Sequence, residues 1–274
     1  MSFFTNLRAD RLIAEIKAAD DSDGHKTSLE KLVRLGSSAI PRILDALASA
    51  DNRETAGFVA VLTALLDNKS FPAVASGLTQ GNQRTVAGAA TAMSNSRNYP
   101  ANLLFGLLDQ PAMPKGTVVG ILTAQKSRLN ARDVLQRAYN QDAAEKAAMF
   151  RIVSEIADAS IVPELLSRLE GKDPIARTHI INILARFNQR DVAAALQRQL
   201  KDTNKFVRQA VLNALAGFEG NVDVGLLCEV LRDPDVVPSD YSAAAAWALS
   251  GAAPGSPGGA NGPVFSQEFS LWRE

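Results

Sequence analysis

The chain has 274 residues, 46% hydrophobic but only 6% aromatic, with 29 basic side chains balanced by 29 acidic ones. That balance leaves no global field to draw the chain onto nucleic acid or an anionic membrane, and the single cysteine, Cys228, excludes an intramolecular disulfide and a multi-cysteine zinc site. The first ten residues lack the apolar core and cleavage site of a signal peptide, and no apolar run reaches membrane-spanning length, so a cytoplasmic protein is expected.

Phe3 to Ala19 reads as an amphipathic helix, with Phe4, Leu7, Leu12, Ile13 and Ile16 on its apolar side. Asp20 to Gly24 reads as a turn, and Thr27 to Leu35 as a second helix stopped by Gly36, where a left-handed residue is needed. Residues 1–36 are expected to form an N-terminal cap of two helices. Helix pairs are predicted at 38–49 with 53–66, 69–79 with 82–95, 99–109 with 113–126, 130–140 with 143–157, and 160–170 with 174–187. Two more are predicted at 189–201 with 204–218 and 222–232 with 238–250. Several first helices open on proline, at Pro41, Pro72, Pro100 and Pro163, where the missing N–H costs nothing. Cys228 lies in the apolar run Val224 to Leu231 and is expected to be a core thiol.

Residues 251–263 are rich in Gly and Pro and read as a flexible linker. It leads to a tail, 264–274, with apolar Phe265, Phe269, Leu271 and Trp272. Two readings of the tail stay open: a remnant of a longer array or fusion, and a short docking peptide.

The pairs repeat. Arg177 to Phe187 and Arg208 to Phe218 are the same helix twice, 31 positions apart (208 − 177). Stepping back by the same interval meets Lys146, Lys115, Arg84 and Arg53. Three places after the basic residue stand Ala87, Val118, Met149, Ile180 and Val211, and seven places after stand Thr91, Leu122, Val153, Leu184 and Leu215. Ten places after stand Ser94, Gln125, Ile156, Phe187 and Phe218. These offsets follow the helical period, so each unit carries an amphipathic helix. The register is read as good from Arg84 onward and about two places late at Arg53. A fixed period of this length marks a solenoid whose units bury a continuous core by stacking. The expected fold is therefore all-α, a right-handed α-α superhelix of about seven helix pairs across residues 37–250.

Val162 to Leu169, with its proline and spaced leucines, and Lys201 to Gly217, with its Asp turn, basic residue and small apolar positions, resemble HEAT repeats. The short period is similar to that of the bacterial group related to phycobilisome lyases. The resemblance covers roughly residues 27–250, and residues around 99–140 depart most, with Lys126 to Asn130 replacing a regular turn. It implies a non-enzymatic scaffold or adaptor that binds a protein partner along its concave helix face. A regulatory arm of a signalling protein is one such role.

Candidate residues emerge from the repeat. Five places after each basic position stand Ala89, Gly120, Arg151, Asn182 and Asn213. By helical angle this column points away from the apolar stripe. With Glu155 and Arg186 nearby, Arg151, Asn182 and Asn213 form the expected partner-binding surface, and Gly88, Ala89 and Gly120 would allow close approach. The ladder Arg84, Lys115, Lys146, Arg177 and Arg208 has two readings. As structure, it pairs with Asp142, Asp173 and Asn204 four residues ahead, which also cap the helices. As a site, it is a cationic stripe for phosphates, the basis of an alternative nucleic-acid-binding or DNA-glycosylase-like function. His25, read in a turn, and His179, read beside the core of a helix, have no partner at metal-ligand spacing. No catalytic residues, metal or cofactor are expected.

Overall fold

A computed structural model describes residues 3–18, 22–215 and 217–218. Among these residues every regular element is helical, with 14 α-helices and five short 3-10 turns. The last predicted pair, Cys228, the linker and the tail lie outside the described residues. The chain divides into two compact units, Met1–Ile156 and Ala157–Glu274.

In the first unit, α1 (Phe3–Ala18) packs on α2 (Ser22–Arg34) and α3 (Ile40–Leu47). The longer helices α4 (Asn52–Leu65), α6 (Gln83–Asn95), α8 (Lys115–Ala124) and α10 (Ala143–Ile156) then pack each on the next. The shorter partners α3, α5 (Phe71–Ala75), α7 (Leu103–Leu108) and α9 (Ala131–Ala138) lie against them. In the second unit, α11 (Val162–Ser167) packs on α12 (Pro174–Leu184), α13 (Arg190–Arg198) on α14 (Lys205–Leu215), and α12 on α14. The helices thus pack in neighbouring pairs, as a HEAT-like array requires.

The starts of the longer helices are chemically specified. Asp51 and Glu54 close a reciprocal capping box, Glu54 N–H donating to Asp51 Oδ1 at 2.7 Å and Asp51 N–H to Glu54 Oε2 at 3.1 Å. Asn82, Asp173 and Asn204 each accept two backbone N–H groups at the openings of α6, α12 and α14. Gly36 closes α2 with φ of +72°, a conformation that a side chain disfavours.

The core stripe exposes a slip that the repeat alone misplaces. Val118, Met149, Ile180 and Val211 are fully buried, as are Leu122, Val153 and Leu184. Their supposed counterparts on α6, Ala87 and Thr91, are exposed. Two places later, Ala89 and Met93 are buried instead, and they match Phe58 and Leu62 of α4 at the same interval of 31 (89 − 58). So α6 is in register with α4, and the two-residue slip falls between α6 and α8. The reason is composition: α6 is mostly Ala, Gly and Thr, so its apolar pattern fits two registers. Packing chooses between them, because each large buried side chain contributes about 1.5–3 kcal/mol and α6 has only Met93 and the leucines it meets.

Three boundaries also differ from the sequence reading. Helix α2 begins at Ser22, inside the expected turn, with Asp23 in its first turn favouring the helix dipole. His25 is therefore helical and buried, not in a turn; its ring faces Gly57, where an added Cβ would lie 3.1 Å from Nε2. The first helices are shorter than expected, with 3-10 turns extending α5 at Ser76–Thr79 and α13 at Gln199–Lys201. Tyr99–Pro100 does not open α7, which starts at Leu103. The preceding stretch makes i to i+3 turns at 3.1–3.2 Å, and the Tyr99 carbonyl accepts the Arg128 guanidinium instead.

Candidate partner-binding face

Helices α12 and α14 pack side by side and leave one face each uncovered. On α12, Ile175 and Asn182 are exposed; on α14, at the same register, so are Phe206 and Asn213. Seven residues separate the members of each pair, two helical turns, so they share a face about 10 Å apart. Ile175 is 51% exposed and Phe206 61%, unusual for large apolar side chains that repeat in register. Lys205 Nζ sits 5.2 Å from the Phe206 ring centre. Arg186 comes after α12 and is exposed. The column read from the sequence holds Asn182 and Asn213, with Arg186 beside it, but misses the apolar pair. A signal for that pair is present: Ile175 and Phe206 stand 31 apart (206 − 175) and off the apolar stripe.

Arg151 and Glu155 lie in the other unit, on α10. There Arg151 Nε is 3.5 Å from Glu155 Oε1, and Lys126 Nζ donates to Glu155 Oε2. The hydrogen bond from Lys126 holds the Glu155 carboxyl below its usual range, helped by Arg151. These charges satisfy one another. Of the small residues expected to permit close approach, Gly88 faces the core, where a Cβ would meet Leu47 Cδ1 at 2.8 Å. Ala89 is fully buried, so it does not belong to the outward column, and Gly120 faces open space.

The basic ladder reaches between helix pairs. Arg84 Nη1 donates to the Ala50 carbonyl at 2.8 Å, and Lys115 Nζ lies 3.8 Å from Asp142. Lys146 is on α10, where its backbone N–H donates to the Asp142 carbonyl at 2.8 Å. Arg177 donates to the Asp202 carboxylate, 25 residues on, rather than to Asp173 four residues ahead. Arg208 Nη1 donates to the carbonyls of Asp202 and Thr203 at 2.8 and 3.2 Å. Two guanidinium groups therefore converge on Asp202, which supplies one carboxylate. Asp173 caps its helix as expected, its Oδ1 accepting Ile175 and Ala176 N–H, while Arg177 turns to Asp202 instead of the i,i+4 partner.

A buried polar knot occupies the stretch where the repeat departs from its pattern. Gln125 is fully buried at a position whose later repeat partners, Ile156, Phe187 and Phe218, are apolar. Its amide donates to the carbonyls of Met93, Ser94 and Ser96 at 2.8–2.9 Å and accepts from Arg97 and Arg128 at 2.7 and 2.9 Å. Tyr99 donates its hydroxyl to the Met93 carbonyl at 2.6 Å, and burial pushes its pKa up to about 12. Beside the knot lies an open cleft of about 300 Å³, lined by Asn102, Phe105, Arg128, Asn130 and Asp133 among others. The Arg128 guanidinium there is engaged by Gln125 and the carbonyls of Arg97 and Tyr99. Among the described residues no three His, Cys, Asp or Glu side chains gather as metal ligands, and no helix is long and apolar enough to cross a membrane.

Comparison with known proteins bears on these features. The structure of human deoxyhypusine hydroxylase in complex with glycerol is similar at 14% identity and a TM-score of 0.36, over 90% of this chain and 96% of that one. The crystal structure of an engineered protein is similar at 15% identity and a TM-score of 0.40, over 89% of this chain and 78% of that one. No curated protein matches the chain. The first of these neighbours corrects the expectation that the chain is not an enzyme. Deoxyhypusine hydroxylase is an enzyme with a HEAT-like fold, so helix-pair architecture is no ground for excluding catalysis. A likeness of that degree assigns no activity either. The family model of HEAT repeats matches residues 162–250, without distinguishing the phycobilisome-lyase-related group. Residues 162–250 therefore carry HEAT-repeat sequence.

Proposed function

We propose that the chain is an interaction scaffold that holds a protein segment across the exposed face of α12 and α14. The observation that carries this reading is the register of Asn182 and Asn213, exposed on adjacent packed helices. A side-chain amide both donates and accepts, which suits the alternating N–H and C=O groups of a peptide backbone. Packed helices stand about 8–10 Å apart, so two such amides meet the same chain about three residues apart. HEAT repeats generally mediate protein–protein interaction, which supports the reading at the level of the family.

The nucleic-acid alternative has less to stand on. A phosphate-binding stripe needs available cations, and Arg84, Lys115, Arg177 and Arg208 are directed at the protein's own oxygens.

The test is affinity capture with the full chain and with a variant carrying Asn182→Ala and Asn213→Ala. Both residues are exposed, so circular dichroism should show an unchanged fold. A protein captured by the parent and lost with the variant supports the reading. Identical capture by both sinks it.

A further inference from the structure

The same face also has a chemical preference, one that rests on the peptide-binding function proposed for it. Neither α12 nor α14 contains an Asp or Glu. Residues 157–218 carry nine Lys or Arg against six Asp or Glu. Around the face itself Lys172, Arg186 and Lys205 are exposed. Of the carboxylates in the flanking turns, Asp173 accepts the first N–H groups of α12 and Asp202 is covered by Arg177 with only 9% of its side chain exposed, while Glu170 is exposed beside Lys172. Arg208 reaches only carbonyl oxygens, so its charge is left without a carboxylate. Low-dielectric walls and one sign of charge concentrate a field over such a surface.

Within this positive field stand the two apolar side chains, Ile175 and Phe206, one on each helix. Helix axes in contact lie about 8–10 Å apart. An extended polyproline-II chain has three residues per turn and rises about 3.1 Å per residue, so positions i and i+3 lie on one side about 9 Å apart. Anchors on two packed helices at that general axis spacing suit the repeat. A helical ligand would reach both anchors only with an i, i+7 pair, about 10 Å apart, and its backbone groups are already bonded to one another, leaving none for Asn182 and Asn213.

We propose that the α12–α14 face selects an extended acidic protein segment bearing apolar side chains at i and i+3. The apolar groups seat on Ile175 and Phe206. The acidic residues face Lys172, Lys205 and Arg186, and the backbone runs over Asn182 and Asn213.

The probe is a short labelled peptide of glutamates with phenylalanine at i and i+3, titrated into the full chain by fluorescence anisotropy. Its counterpart has lysine for every glutamate, and a single-stranded oligonucleotide of equal charge serves as the third ligand. The acidic peptide should bind at least about tenfold more tightly than the basic one. Phe206→Ala should weaken it about tenfold, the scale of losing a central aromatic anchor. Lys205→Glu with Arg186→Glu should reverse the preference between the two peptides. Equal binding of both peptides, no binding of either, insensitivity to Phe206→Ala, or tighter binding of the oligonucleotide would each overturn the proposal. Loss of a captured protein with the Asn182 and Asn213 variant, alongside failure of the acidic peptide, would retire this chemistry and leave the scaffold reading standing.

Discussion

Gln125→Leu sets the logic of the repeat against the logic of the structure. The repeat places Gln125 in a column with Ser94 before it and Ile156, Phe187 and Phe218 after it, so by the later, apolar members a leucine should fit and stabilise. The structure says otherwise. The substitution keeps the volume but strips the partners from a fully buried site. The Ser94 and Ser96 carbonyls and Arg97 Nη1 lose their bonds to the amide. The Met93 carbonyl still accepts the Tyr99 hydroxyl, and Arg128 still reaches the Arg97 and Tyr99 carbonyls. Three polar groups left unmatched at about 1 kcal/mol each, with partial compensation from the new apolar contact, give a net loss of about 2–3 kcal/mol. At about 2–4 °C per kcal/mol for a chain of this size, the melting midpoint should fall by roughly 5–10 °C. Urea and thermal unfolding followed by circular dichroism would measure both. Stability equal to or above the parent would show that the amide's bonds contribute nothing and that the periodic pattern is the better guide.

Other consequences are as direct. Asp202→Ala removes the carboxylate from a largely buried pair and strands Arg177, for a cost of about 3 kcal/mol. In a double-mutant cycle, Arg177→Ala should then add far less than it does alone; additive losses would show that the two do not interact. Gly88→Ala would drive a Cβ to 2.8 Å from Leu47 and destabilise by about 1–3 kcal/mol. Gly120→Ala, meeting nothing within 4 Å in the middle of α8, should stabilise by about 0.5–1 kcal/mol. The same sign for both in chemical denaturation would refute the packing assigned to them. Tyr99 ionises near 10 when unfolded and about 12 when folded. Its contribution is therefore fully present below pH 10 and lost as pH rises toward 12, because the unfolded chain releases its proton first. Tyr99→Phe should flatten that alkaline loss in a pH series of melting curves, and an unchanged slope would argue against it.

Much of the fold was legible because helix pairing here is local. The offsets of three, four and seven, the proline starts at Pro41, Pro72 and Pro163, the caps at Asp173 and Asn204, and the stop at Gly36 are short-range devices, each with its own chemistry. The candidate face was half legible. Asn182 and Asn213 come directly from the period. Ile175 and Phe206 precede the basic residue of each repeat, outside the apolar stripe, and a stripe-based pattern gives them no place. The expectation of a non-enzyme rested on the usual role of the fold and on finding no familiar catalytic motif, and neither excludes an activity.

By itself, then, the sequence determined, within the described residues, the pairing of helices and, from α8 to α14, their interval and the identity of the buried stripe, since branched and aromatic residues there leave one face to bury. Only the tertiary structure decided three other matters. It set the register of α6, whose small residues permit two alignments until Leu47 fills the space beside Gly88 and the Thr85 hydroxyl donates to the Leu44 carbonyl. It turned Gln125 from a blemish in an apolar column into the centre of a hydrogen-bonded knot. It sent Arg177 to Asp202 instead of its own helix. In each case the deciding partner lies about 25 to 41 residues away, beyond the reach of any helical period, and burial fixes which contact prevails.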